Sequence, residues 1–195
     1  MAQALSSEDA KELLRFTRAG MLYEIAAWIT AGRSLQVPTD IKKTPLQIAV
    51  ERGFHSLVRL LATHEDSQTV KNDAMGDAAD LRRRDLVELL LEPRAQAIGI
   101  PLLRVLRSWE PSLIRLFLGR GADVRTGHPF AMAFGEKIRT AIRPFTEYRA
   151  THPELSDILQ EQMDRALRYF CDQQDLKWVS LLIWTGSRIT CTSWR

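Results

Sequence analysis

The sequence lacks the features of an exported or membrane-spanning protein. Its 195 residues contain only two cysteines, Cys171 and Cys191, a number that favours free thiols in a reducing compartment. No apolar run approaches the roughly 18 residues that a helix needs to cross a bilayer. The opening MAQALSSEDAKELLRF has no basic stretch followed by an apolar core, so a secretory signal is not expected. We therefore expect a cytoplasmic protein that makes no membrane contact.

Residues that perform catalysis or hold metals are also sparse. His55 and His64 are nine residues apart, which does not place them on one helix face at ligand spacing. Cys171 ends an apolar helix face without a neighbouring basic cluster, so we expect it in the core. The segment FGEKIRT has a glycine and a lysine but not the remaining glycine pattern of a phosphate-binding loop. We predict a protein that is not an enzyme and uses no metal or cofactor.

The stretch KTPLQIAVERGFHSLVRLL, residues 43 to 61, predicts two short helices. Thr44 is a good N-cap, and Pro45 suits the first helical position, where its missing N–H costs nothing. Gly53 can adopt the positive φ that ends the first helix. A second helix follows, with apolar residues at helical spacing.

This pattern recurs along the chain. A helical hairpin of this length cannot bury its apolar faces alone, so similar neighbours are expected. Upstream, Gly20 lies 33 residues before Gly53. The residues that align with Val58 are Ile25, Val87, Ile114 and Val179. The spacing contracts to 29 residues between Val58 and Val87 and to 27 residues between Val87 and Ile114.

The repeated segments resemble ankyrin repeats. The family motif Thr-Pro-Leu-His-x-Ala-Ala is matched by TPLQIAV, residues 44 to 50, and the motif Gly-Ala-Asp-Val by residues 121 to 124. The resemblance is clearest at 43–61 and 100–124. It implies an all-α solenoid of about five to six helix-turn-helix repeats. The alternative is a generic helical solenoid or an irregular helical bundle.

The resemblance predicts one ankyrin-repeat-like domain over residues 1–195. Regular repeats are expected over about 7–124, and lengthened or irregular ones over about 125–195. In the second part we expect a long helix from Glu136 to about Ala150 that Pro144 kinks or ends. Another long helix should follow His152-Pro153. His128 and His152 each precede a proline and are expected to cap the next helix.

In ankyrin repeats, partners usually bind a concave groove lined by loop tips and first helices. By position, the resemblance implies partner contacts at Lys42, Lys43, Glu51, Arg52, Asp80, Leu81, Arg107, Ser108, Arg125 and Glu136. The residues at the groove's edge form a candidate contact for an acidic partner, namely Arg82, Arg83 and Arg84. The alternative for this turn is an exposed connection in which Asp85 pairs locally with the arginines.

The last predicted helix is apolar almost all round, whereas a terminal repeat should present a polar outer face. Its residues include Trp178, Val179, Leu182, Ile183 and Trp184. We expect something to cover this C-terminal face: the strand TCTSWR folding back, a second copy that forms a homodimer, or a different protein. Trp178 and Trp184 are therefore added to the candidate partner contacts.

These observations favour a non-catalytic interaction module, a scaffold or adaptor, that binds another protein through its groove or its C-terminal face. The alternative is a nucleic-acid-associated subunit that contacts phosphates through its Arg-rich edge. The net charge of +3 is too small to require nucleic acid, although 21 of the 27 basic residues are arginine. No aromatic stacking platform is interleaved with these arginines, which favours the protein partner.

Overall fold

The computed structural model describes residues 5–38, 40–91 and 99–186, and every regular element within these ranges is a helix. The chain divides into two compact units, Met1–Ile100 and Pro101–Arg195. This division falls before the boundary near residue 124 at which the sequence predicts that the repeats lengthen. The single domain over 1–195 stays a prediction.

The first unit contains three helix pairs within its described residues. In chain order the helices are α1 (Ser7–Ala19), α2 (Leu22–Thr30), α3 (Pro45–Arg52), α4 (His55–His64), α5 (Gln68–Asp80) and α6 (Arg84–Leu91). The first helices of the pairs form one layer, in which α3 packs against both α1 and α5. The second helices form another layer, in which α4 packs against α2 and α6.

The second unit repeats this arrangement. Its helices are α7 (Leu102–Leu106), α8 (Pro111–Gly119), α9 (Pro129–Gly135), α10 (Ile142–Thr151), α11 (Ser156–Asp172) and α12 (Leu176–Trp184). Short 3-10 turns at Arg139–Ala141 and Pro153–Leu155 precede α10 and α11. First helix α9 packs against α7 and α11, while α8 packs against α10 and α12 against α11. The predicted elongation is confirmed at α11, which has 17 residues.

The helix pair at residues 43 to 64 forms as its sequence predicts. The hydroxyl of Thr44 accepts a hydrogen bond from the backbone N–H of Gln47, and the side chain of Gln47 accepts one from the N–H of Thr44. This capping box satisfies two N–H groups that the first helical turn leaves unpaired. Gly53 ends α3 with a φ of 73°, and Ala49 and Val58 are fully buried between the helices.

The turn between the two helices of each pair contains one residue with positive φ, which we call the turn residue. The six turn residues are Gly20 (69°), Gly53 (73°), Arg82 (57°), Trp109 (60°), Lys137 (61°) and Gln174 (55°). Four of them are not glycine, so tertiary packing holds a side-chain-bearing residue in a conformation that costs roughly 1–2 kcal/mol. Counting residues backwards from the turn residue therefore gives equivalent positions in the first helix of each pair.

The structure corrects two local expectations in the second unit. The long helix predicted from Glu136 is wrong: α9 ends at Gly135, and Pro144 lies in the first turn of α10 rather than in its interior. Proline is tolerated there because first-turn N–H groups have no helical acceptor. His128 and His152 precede helical turns as predicted, but neither side chain makes a capping hydrogen bond.

Candidate partner-binding surfaces

The predicted contacts of the second helix pair lie at both ends of α3. Lys42 and Lys43 are exposed in the turn before the helix, and Glu51 and Arg52 are exposed in its last turn. Lys43 and Glu51 form an ion pair with each other. Deeper along α3, Gln47 donates a hydrogen bond of 2.9 Å to Asp77 of α5. The fold therefore brings α3 and α5 side chains together on one face.

The arginine cluster lies in the turn between α5 and α6, where Asp80, Leu81 and Arg82 are exposed. Arg83 donates two hydrogen bonds to Asp85, at 3.1 and 2.9 Å, and Arg84 donates one of 2.7 Å to Glu88. The hydrogen bonds between Arg83 and Asp85 match the alternative stated for this turn, an exposed connection in which Asp85 pairs locally with the arginines.

The Arg83 guanidinium holds the pKa of the Asp85 carboxyl well below its ordinary value, and His55 acts in the same direction. Burial opposes both by raising that pKa. The Arg83 guanidinium also lies beside Gly53, where an added Cβ would be 3.0 Å from Nη1. Arg83 therefore connects the turns of two successive helix pairs.

Two surface clefts flank α4 on the second-helix layer. One, of about 500 Å³, is lined by His55, Ser56, Arg59, Asp85, Glu88 and Leu89. The other, of about 390 Å³, lies towards α2 and includes Leu22, Tyr23 and Leu60. In the part of the chain that the structure describes, no group of three or more His, Cys, Asp or Glu side chains could hold a metal ion.

In the second unit, two predicted contacts bind each other. Arg107, at the end of α7, donates a hydrogen bond of 2.8 Å from Nε to Glu136, at the end of α9. This pairing lowers the pKa of Glu136 and raises that of Arg107. Ser108 is buried and its hydroxyl accepts from the N–H of Glu110, so the prediction that Ser108 contacts a partner is wrong. Arg125 is exposed in the loop before α9.

An apolar pair that the sequence reasoning missed lies on the first helices of this unit. Met132 of α9 and Tyr169 of α11 are 49% and 48% exposed. Each lies five residues before its turn residue, Lys137 or Gln174, and the two helices pack against each other. Gly135 lies beside the pair, since a Cβ there would be 4.0 Å from the Tyr169 ring. We call these three residues the Met132–Tyr169 patch. The repeat alignment alone would not have revealed it, because the equivalent residue of α3, Ile48, is buried.

The C-terminal helix separates its two tryptophans. Trp178 is 3% exposed and stacks on Phe170, so the prediction that it contacts a partner is wrong. Trp184 is 83% exposed, and Leu176 and Ile183 are also exposed. The candidate covering strand TCTSWR lies outside the described residues. Within those residues, an apolar surface therefore remains at one side of α12.

None of the described helices is both long enough and apolar enough to span a membrane.

Helix pairs that pack in chain order within each unit define a helical-repeat protein. The particular repeat is ankyrin-like: the structure is similar to the crystal structure of the ankyrin repeat domain of Bcl-3, a member of the IkappaB protein family, with a TM-score of 0.62. The similarity covers 90% of this chain and 86% of that one at 19% sequence identity. No protein-family model matches the chain, and no curated protein matches its sequence. The predicted ankyrin-repeat-like, all-α fold is confirmed.

Proposed function

We propose that this protein is a non-catalytic, cytoplasmic interaction module that binds another protein through the Met132–Tyr169 patch. The ankyrin-like fold supports the general function, because such folds generally serve protein–protein interaction. The two-cysteine composition supports the location. The exposure of two large side chains on adjacent first helices supports the surface.

The patch has the composition of a binding hot spot. Tyrosine contributes a large contact area with few rotatable bonds, and methionine adapts to irregular partner surfaces. Arg104 of α7 occupies the same position relative to its turn residue, Trp109, as the two apolar residues do to theirs. Tyrosine and arginine are the residue types enriched among side chains that dominate binding energy. A partner that covers the patch would therefore gain most of its affinity from a small area.

The Arg-rich edge gives less support to the alternative nucleic-acid function. Phosphate contacts require available cations, whereas Arg83 and Arg84 already hydrogen-bond to Asp85 and Glu88. That alternative, and the predicted acidic character of the partner, stay predictions.

A displayed library of random 16-residue peptides, selected on the full chain, tests the proposed surface. Selected peptides are then measured by fluorescence polarisation on the wild type and on a Met132→Ala, Tyr169→Ala variant. We expect at least about tenfold weaker binding to the variant, as for loss of hot-spot residues. The matched control is Met21→Ala, Tyr23→Ala, which removes an exposed methionine and tyrosine from the first unit and should leave affinity unchanged.

Two results would overturn the proposal. One is a selection that yields no peptide sensitive to Met132 and Tyr169. The other is equal weakening by both double variants, which would show that exposed methionine and tyrosine attract peptides without regard to position. Circular dichroism of each variant establishes that its helices are intact.

A further inference from the structure

Beyond its acidic first turn, which contains Glu8 and Asp9, the first helix of the first unit carries a basic stripe. Lys11, Arg15 and Arg18 are all exposed on α1, opposite the buried face of that helix. They lie nine, five and two residues before the turn residue Gly20. Within this group Arg15 makes one long ion pair, 3.9 Å, with Glu12.

An acidic stripe occupies the same three positions two helices away. On α5, Asp73, Asp77 and Asp80 lie nine, five and two residues before the turn residue Arg82. Asp73 and Asp80 are exposed, and Asp77 is half-buried where it accepts the hydrogen bond from Gln47 of α3. The equivalent positions on opposite sides of α3 therefore carry opposite charge.

The helix between the stripes contributes little net charge. Its equivalent positions are Thr44, Ile48 and Glu51, and Glu51 pairs with Lys43. Arg52 follows at the end of α3. The first-helix face of this unit thus runs from basic at α1, through α3, to acidic at α5.

We propose that this face binds the same face of a second copy of the chain. A two-fold axis parallel to α3, placed between two facing copies, brings α1 of each copy over α5 of the other. Because the axis preserves position along the helices, Lys11 faces Asp73 of the second copy, Arg15 faces Asp77 and Arg18 faces Asp80. The symmetry then repeats these three contacts, as every two-fold interface does. Opposite charges thus meet along both edges of the interface.

The size and chemistry of the face predict a weak, salt-sensitive dimer. The 13 residues of α1 and of α5 span about 20 Å each, and the 8 residues of α3 span about 12 Å. At roughly 10 Å spacing the three helices give about 500 Å² per copy. The resulting total of about 1,000 Å² is in the range of weak, transient interfaces. Contacts between exposed charges weaken as the Debye length falls from about 10 Å at 0.1 M salt to about 3 Å at 1 M.

Sedimentation equilibrium of the full chain tests the proposal. We expect dimers at 50 mM salt and monomers at 1 M salt. Reversal of α1 (Lys11→Glu, Arg15→Glu, Arg18→Glu) or of α5 (Asp73→Lys, Asp77→Lys, Asp80→Lys) should each weaken self-association at least about tenfold, because like charges then face each other. A control with the same change in charge, Arg120→Glu, Arg165→Glu, Arg168→Glu in the second unit, should still dimerise.

Combinations of the two reversals identify the pairing. Mixed copies of the α1 and α5 variants present all-acidic and all-basic faces, so they should form a heterodimer. One chain that carries both reversals should recover the homodimer. Monomers at every salt concentration, dimers that persist in either single reversal, or failure of both combinations to associate would overturn the proposal.

A crosslinking experiment gives a second measurement that changes only one residue of the proposed interface on each chain. In a background with Cys171→Ser and Cys191→Ser, Arg15→Cys chains mixed with Asp77→Cys chains should form a disulfide-linked heterodimer under mild oxidation. Arg15→Cys chains alone should crosslink far less, because the axis separates the two Arg15 positions. Equal crosslinking in both samples would contradict the proposed axis.

Discussion

Trp178 of α12 stacks on Phe170 of α11, with ring centroids 5.1 Å apart and planes inclined by 14°. Trp184, six residues later in the same helix, is 83% exposed. The packing of one helix thus assigns two tryptophans of identical chemistry to opposite environments.

Replacement of the two tryptophans should have very different consequences. Trp178→Ala removes a buried ring and leaves a cavity, so we expect the free energy of unfolding to fall by about 3–5 kcal/mol. Trp184→Ala removes mostly exposed surface and should change it by less than about 0.5 kcal/mol. Urea unfolding followed by circular dichroism measures both. Similar losses in the two variants would show that Trp184 is also covered.

The sequence could not separate these tryptophans because LKWVSLLIW is apolar on nearly every side. Periodicity assigns a buried face only when polar residues mark the opposite one. Here the contact with α11 decides which residues are buried. The same limit explains Met132, because exposure in a first helix depends on the neighbouring helix as much as on the residue.

Backbone geometry was more predictable than side-chain exposure. Because Val87 and Val179 align with Val58, the residues five positions earlier, Arg82 and Gln174, align with Gly53, and all three have positive φ. Residue type alone would have missed the latter two, since positive φ is rare outside glycine. Pro144 shows the opposite failure: its chemistry permits either a helix break or a first-turn position, and the preceding turn decides.

Gln174→Gly should stabilise the second unit. Gln174 has a φ of 55°, which strains a side-chain-bearing residue and suits glycine. Because glycine loses more conformational entropy on folding, part of this strain relief is offset. We expect the free energy of unfolding to rise by about 0.5–1 kcal/mol. The neighbouring Gln173 has a φ of −80°, so Gln173→Gly is a matched control that should destabilise. Thermal unfolding measures both changes, and a lower midpoint for Gln174→Gly would show that its side chain contributes more than its strain costs.

Gln162 connects α11 to the loop before α9 and to the first turn of α9. Its side chain is fully buried, donates a hydrogen bond of 2.7 Å to the carbonyl of Val124 and accepts one of 2.9 Å from the N–H of Phe130. Gln162→Leu keeps the size but leaves both backbone groups unpaired. Each unpaired buried group costs roughly 1–3 kcal/mol, so we expect the free energy of unfolding to fall by about 2–5 kcal/mol in Gln162→Leu.

The control for Gln162 is Gln173→Leu, an exposed position at the end of the same helix. It should change stability by less than about 0.5 kcal/mol. Hydrogen exchange gives a local measurement, because the amide of Phe130 should lose protection in Gln162→Leu before the rest of the unit does. Unchanged protection there would show that the N–H has another acceptor.

The Arg83–Asp85 contact should make the stability of the first unit depend on pH. Because Arg83, assisted by His55, lowers the pKa of Asp85 in the folded chain, the contact stabilises the fold above the ordinary carboxyl pKa of about 4. This contribution is lost as the pH falls from about 4 towards the lower folded pKa, because the unfolded chain binds the proton first. Asp85→Asn removes it at every pH.

The difference in unfolding free energy between the wild type and Asp85→Asn should therefore be largest above about pH 5 and shrink steadily below about pH 4. Urea unfolding at half-unit pH steps measures it. Asp66→Asn, at an exposed position between α4 and α5, serves as the matched control and should give a difference that varies much less over this range. Arg83→Gln should reduce the pH dependence because it removes the principal cause of the lowered pKa. A difference that grows as the pH falls would require a folded state that binds the proton more tightly than the unfolded one, contrary to the observed pairing.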